Sequence, residues 1–208
     1  MLRLRRFVAE KTWRFRIELI RLLSPGFFQK VEGVYQSVEG FPRPMIQYLK
    51  ERFGGKPLVG VEIGVGYGRN AKSILKTLNM KMLYLIDPYI PYTIEGKGVV
   101  TRWIKGLKIV RKELEPLPNV TFIHATSEEA VNYIPNQLDF VYIDGNHSYK
   151  YVKKDIELYY PKVKSGGIIG GHDFRFKFKG VIKAVVEFSQ KNNLEFDGKY
   201  PDWWIIKP

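Results

Sequence analysis

Five short apolar runs recur along this chain, each followed by a helical stretch, and this alternation constrains the fold more than any other feature. The runs are LVGVEI (58–63), MLYLID (82–87), VTFIH (120–124), LDFVYID (138–144) and a strand between the glycine pairs of GGIIGGHDF (166–174). Helices are expected over about 69–79, 99–114 and 180–191. Another starts at Ser127 with Glu128 and Glu129 in its first turn, and one carries Val152, Ile156 and Tyr159. Residues 88–98 read as a loop rich in Gly, Pro and Tyr. Strands separated by helices imply parallel βαβ units and a doubly wound, Rossmann-like α/β sheet. The closing LEFDGKYPDWWIIKP predicts a hairpin turning around Gly198–Pro201.

Upstream, residues 2–23 read as a basic amphipathic helix. Trp13, Ile17 and Ile20 share one face, with Arg14, Glu18 and Arg21 on another. SPG (24–26) ends it, GFPRP (40–44) is a second break, and PMIQYLKERF then reads as a short helix ending at Gly54-Gly55. The expected division is an N-terminal helical extension, 1–41, and one α/β domain, 42–208. The first 23 residues carry seven Arg or Lys against two Glu. Such a helix serves as a lid, a dimer contact or a solvated face. RNA or an anionic membrane are less favoured partners for it.

The net charge is +13, a field that favours anionic partners without naming one. There is no cysteine, which removes disulfides and thiolate chemistry and leaves His, Asp, Glu and Asn to hold any metal. No apolar run approaches the ~20 residues of a membrane span, and Arg14, Arg16 and Arg21 interrupt any signal-peptide core. A cytoplasmic location is the expectation.

In doubly wound folds ligands bind at the carboxyl ends of the strands. Here those ends are polar or glycine-rich: Glu62 to Gly68, Asp87, His124 to Ser127, Asp144 to His147, and His172-Asp173. The dinucleotide fingerprint is G-x-G-x-x-G. VEIGVGYGRN spaces its glycines G-x-G-x-G instead, and Arg69 stands where the third glycine belongs. Glu62 would also oppose a pyrophosphate. A ligand with a positive end suits it better, and S-adenosylmethionine carries a sulfonium and an ammonium without phosphate. Asp87, ending the second strand, is placed to accept from the ribose hydroxyls.

Together VEIGVGYGRN, LIDPY, DFVYIDGNHSYKYVKKDI and VKSGGIIGGHDF resemble a class I S-adenosylmethionine-dependent methyltransferase. Within that class they are similar to the branch of small-molecule O-methyltransferases, cephalosporin-hydroxylase-like proteins and macrolide-sugar methyltransferases. The resemblance covers about residues 42–207 and implies a seven-stranded sheet, mostly parallel, with an antiparallel last strand. It implies that Glu62, Gly64, Gly66, Tyr67 and Gly68 lie beneath the methionine part of the cofactor, that Asp87 binds the ribose, that Thr126 and Ser127 lie near the adenine, and that Asp144 also contacts the cofactor. Ser127 on its own reads as a helix N-cap.

By the same resemblance Asp144 and Asp173 match carboxylates that hold a divalent cation, with Mg²⁺ or Mn²⁺ suited to oxygen ligands. His172 stands where several relatives have a second carboxylate, so the expected ligands are Asp144, His172 and Asp173. His147, in the D-G-x-H pattern, matches the general base, and Asp144 adjoins it at the reaction centre. A cap or a cofactor contact is the other reading of His147. FRFKFKG (174–180) alternates Phe with basic residues and reads as a grip for an anion or as a half-exposed segment. The N/D-P-P-Y/F tetrad of amino-methylating nucleic-acid enzymes is absent after the fourth strand, where DGNHSY stands. The expected activity is O-methylation of a small polar or sugar-like hydroxyl compound. RNA or another polyanion as acceptor, and a non-catalytic S-adenosylmethionine-binding protein, are the alternatives. A homo-oligomer is compatible with all three.

Overall fold

A computed structural model describes residues 41–94 and 98–208. The basic helix expected over 2–23 lies outside the described residues.

The chain enters through helix α1 (Pro44–Phe53), whose first position is proline, as the pre-set φ of that residue favours. Strand β1 (Leu58–Ile63) leads through the glycine loop to α2 (Arg69–Thr77), then to β2 (Met80–Ile86). The loop after β2 contains a small antiparallel ladder, β3 (Tyr92–Ile94) with β4 (Gly98–Val100). The helix expected from 99 starts later. Val99, Val100 and Thr101 are β-branched and favour extended chain, so a 3₁₀ turn at Arg102–Lys105 precedes α3 (Gly106–Glu113). Then come β5 (Val120–Ile123), the single-turn α4 (Ser127–Ala130), β6 (Leu138–Ile143) and α5 (Tyr149–Tyr159). β7 (Val163–Gly171), α6 (Lys179–Asn192), β8 (Phe196–Lys199) and β9 (Asp202–Ile206) complete the chain.

Seven strands form one sheet in the order β5-β2-β1-β6-β7-β9-β8. The first five are parallel, and β9 runs antiparallel to both β7 and β8. Each strand sends alternate residues to opposite layers. Phe140, Tyr142 and Trp204 meet Ile46, Leu49, Ile74 and Val110 of α1–α3 on one face. Val141, Ile143 and Trp203 meet Val152, Ile156, Val181 and Val185 of α5 and α6 on the other. All six residues of β6 are buried, as expected of a central strand covered on both faces. No helix among the described residues is long and apolar enough to cross a membrane.

β7 runs through both of its glycine pairs rather than between them. At Gly170 a side chain would meet Trp203 O at 2.2 Å and Met45 Sδ at 2.6 Å, so only glycine lets β9 and α1 close on this strand. From β1 the chain winds outward to β2 and β5, then returns to β6 on the other side of β1. The carboxyl ends of β1 and β6 therefore flank the switch point where ligands enter such sheets.

Candidate active site

The loop after β1 is shaped by its own glycines and held by the end of β2. Gly64, Gly66 and Gly68 have φ of 88°, 55° and 71°. At Gly64 a Cβ would lie 2.3 Å from the Asp144 carbonyl oxygen, which is how closely the ends of β1 and β6 approach. Asp87 Oδ2 accepts the N–H groups of Val65 and Gly66, both at 2.9 Å, and Oδ1 accepts that of Tyr89 at 2.8 Å. Burial pushes the Asp87 carboxyl up, and these three bonds work against it. The Tyr89 hydroxyl donates to Gly66 O at 2.7 Å. Tyr67 meets the ring of Trp103 edge-on, with centroids 5.5 Å apart. Asp87 is thus chiefly a clamp on the loop, with part of its acceptor capacity left for a hydroxyl.

Glu62 is buried beneath this loop. Asn70 Nδ2 donates to its Oε1 at 2.9 Å, while Glu62 Oε2 and Asn70 Oδ1 are buried without a partner. Burial drives the Glu62 carboxyl up to about 8, against the Asn70 hydrogen bond and the Arg43 charge. With Glu62 ionised, these two buried oxygens, on side chains that bond each other, call for a donor or a cation.

Thr126 and Ser127 follow β5, beside the end of β2. Thr126 is the N-cap of α4 and forms a capping box with Glu129, whose carboxylate accepts the Thr126 N–H at 3.0 Å. Ser127, one position on, donates to the buried Asp155 carboxylate at 2.5 Å. Burial raises the Asp155 carboxyl to about 7 despite that bond.

The second group gathers Asp144, His147 and Asp173, one ligand atom from each lying within 4.8 Å of the others. His147 Nε2 touches Asp173 Oδ2 and lies 3.7 Å from Asp144 Oδ1, and its ring packs 4.5 Å from that of Phe178. Asp173 occupies the left-handed region at φ 60°, which aspartate tolerates better than most residues. Burial acts to raise its carboxyl, but the hydrogen bond from His147 and the charges of His147, His172 and Arg175 outweigh it and hold it at about 2. His172 stands outside this triplet. Its Nδ1 is 2.7 Å from Asp202 Oδ1 and its Nε2 is 3.8 Å from Asp173 Oδ1, so its ring bridges two carboxylates.

Arg43 and Asp202 were not singled out in the sequence, and Arg175 was read only as part of the basic FRFKFKG segment. Arg43 Nη1 donates to Asp144 Oδ2 at 2.6 Å and to the Tyr142 hydroxyl at 3.2 Å. Asp202 accepts from Tyr142 Oη at 3.0 Å and from Met45 N at 3.0 Å, besides meeting His172. Arg175 pairs with Asp173. A chain of polar contacts therefore runs from Arg43 through Asp144, His147, Asp173, His172, Asp202 and Tyr142 back to Arg43. For Arg43 the local signal was Arg-Pro at a helix start, which marks a cap position but no distant partner.

The sequence matches the family described as methyltransferase domain over residues 61–174, more than half of the chain, and the chain belongs to that family. Among curated proteins it is 28% identical over 134 residues to an uncharacterised protein, R132, of Acanthamoeba polyphaga mimivirus. That match covers 63% of this chain and 58% of the relative's length. Among solved structures the O-methyltransferase NovP aligns with a TM-score of 0.58 at 15% identity, over 78% of this chain and 79% of NovP. Precorrin-6y C5,15-methyltransferase of Geobacter metallireducens GS-15 aligns at 0.57 and 15% identity, over 82% and 92% of the two chains. MycE methyltransferase of the mycinamycin pathway, solved with Mg and S-adenosylhomocysteine, aligns at 0.56 and 14% identity, over 88% of this chain and 55% of MycE. At these identities the structural likeness speaks for the fold.

Proposed function

We propose that this chain is an S-adenosylmethionine-dependent O-methyltransferase acting on a small polar or sugar-like hydroxyl compound, with 42–208 as the catalytic domain and 1–41 as an extension. The observation that carries the reading is the pair of orphaned buried oxygens, Glu62 Oε2 and Asn70 Oδ1, under a loop that gives the Val65 and Gly66 amides to Asp87. A cationic amino group would satisfy both oxygens and favour the ionised form of Glu62, which burial alone disfavours. S-adenosylmethionine would supply an activated methyl group on a sulfonium, leaving the protein chiefly to align the acceptor, worth about 7–11 kcal/mol of barrier. Glu62 and Asn70 face the amino end, Asp87 keeps the loop in shape beside the ribose, and Ser127, anchored by Asp155, borders the base.

His147 takes the proton of the acceptor hydroxyl. Asp173, held ionised at about 2, accepts from Nε2–H and leaves Nδ1 as the basic nitrogen. General-base assistance of this kind contributes roughly 10²- to 10⁴-fold. With His147 kept as the base, the carboxylates of Asp144 and Asp173 would hold Mg²⁺ or Mn²⁺, which would supply Lewis-acid lowering of the hydroxyl pKa.

Calorimetry with S-adenosylhomocysteine, NAD and ATP, beside transfer of a labelled methyl group to hydroxyl acceptors, tests the reading. Binding of the first alone is expected. In His147→Ala binding persists and turnover falls by at least about 100-fold. Preference for NAD or ATP would defeat the cofactor assignment, and full turnover in the His147 variant would defeat the base. Chelator sensitivity reversed by Mg²⁺ or Mn²⁺ supports the ion, and unchanged rates in chelator oppose it.

A second reading has one observation in its favour. A cleft of about 740 Å³ beside α1 and α2 is lined by Lys50, Arg69, Lys72 and Lys76 together with Phe41 and one acid, Glu51, while Lys72 also pairs with Glu113. A polyanionic acceptor such as RNA would bind there with steep salt dependence. Salt-independent turnover on a small acceptor rules this out.

A further inference from the structure

Asp144 already has a cation. Arg43 Nη1 lies 2.6 Å from Asp144 Oδ2, and the opposite oxygen, Oδ1, faces His147 Nε2 at 3.7 Å. The arginine is not a wandering surface group. Its side chain is 14% exposed, its guanidinium also donates to the Tyr142 hydroxyl, and it lies 5.7 Å from the centre of the Tyr142 ring. Its backbone is fixed between Pro42 and Pro44 at the N-cap of α1. That helix is in turn fixed by the Asp202 contact to Met45 N and by buried Met45, Ile46 and Leu49. An arginine guanidinium stays protonated in proteins, so Arg43 keeps its charge beside Asp144.

A divalent ion held by the Asp144 and Asp173 carboxylates would draw on the same Asp144 charge. In a site this closed to water, like charges a few ångströms apart repel strongly. We propose that Arg43 is the resident counter-cation of Asp144 and sets the affinity of the site for divalent ions, guanidinium and ion competing for one carboxylate. The inference rests on the metal reading above. Arg43 acts through Asp144 and is a positioning residue.

The test is Mn²⁺ titration of the full chain, followed by electron paramagnetic resonance of free Mn²⁺ at constant ionic strength. Arg43→Gln should bind Mn²⁺ at least about ten-fold more tightly than the parent. Arg43→Met serves as a second uncharged variant should the first melt early, and Arg43→Lys should stay near the parent. Asp173→Asn should lose the ion, which locates it. Unchanged or weaker binding in both uncharged variants, where the parent binds and Asp173→Asn does not, overturns the competition. Tightening in Arg43→Lys equal to that in Arg43→Gln overturns it too, because charge would not be the determinant. Failure of the parent and Arg43→Gln alike to bind millimolar Mn²⁺ overturns the metal reading, and this inference with it.

Discussion

Replacement of Asp202 by alanine removes an acceptor on which three elements converge. The carboxylate is fully buried and takes hydrogen bonds from the Tyr142 hydroxyl at 3.0 Å and Met45 N at 3.0 Å, with His172 Nδ1 at 2.7 Å. It caps α1 from the far end of the chain, since Arg43 at the N-cap position makes no capping bond of its own. Each buried donor left unpaired costs about 1–3 kcal/mol. The three share one network, so their costs are not additive, and a total of about 4 kcal/mol is expected. For a domain of this size each kcal/mol lowers Tm by about 2–4 °C, which gives a drop of about 8–16 °C. Asp202→Asn keeps the shape and one acceptor oxygen, and should cost about half as much. Differential scanning calorimetry at pH 7 is the assay. A drop below about 3 °C in the alanine variant, or an asparagine variant as unstable as the alanine one, would refute the view that this carboxylate ties α1, β6 and β7 together.

Glu62, with its carboxyl at about 8 in the fold against an ordinary 4.5, favours the protonated form, so its contribution to stability is present below about pH 4.5 and is lost as pH rises through 8. Urea unfolding at several pH values should therefore show Glu62→Gln gaining on the parent between pH 4.5 and 8, and parallel profiles would contradict the burial argument. Gly64→Ala should lose about 3 kcal/mol or more, because strain at φ 88° adds to the clash with Asp144 O. Gly166→Ala, at φ 74° with nothing within 4 Å, should lose only about 1–2 kcal/mol; equal losses in thermal melts would show that the approach of β1 to β6 is unimportant.

Much of the fold was legible because its signals are local. The apolar runs and helical stretches placed all five parallel strands and the closing hairpin, and the departure from the dinucleotide glycine spacing pointed away from pyrophosphate. The misreadings were local too. The loop after β2 holds a two-stranded ladder, the β-branched 99–101 delays α3, and Thr126, not Ser127, caps α4. The polar site was legible only as a set of strand ends. His147 and His172 are both histidines beside a strand-end aspartate, and only the structure shows that the first joins Asp144 and Asp173 while the second turns to Asp202.

Periodicity and turn chemistry act over a few residues, so the amino-acid sequence alone determined the order of elements, the parallel sheet and the glycine loop with an acid at its base. Tertiary structure decided the partners. Arg43 and Asp144 are 101 residues apart and Met45 and Asp202 are 157 apart. Nothing in a local window pairs Arg43 with Asp144, because that buried pair exists only once the packed sheet and helices have excluded the water that would otherwise satisfy each member separately.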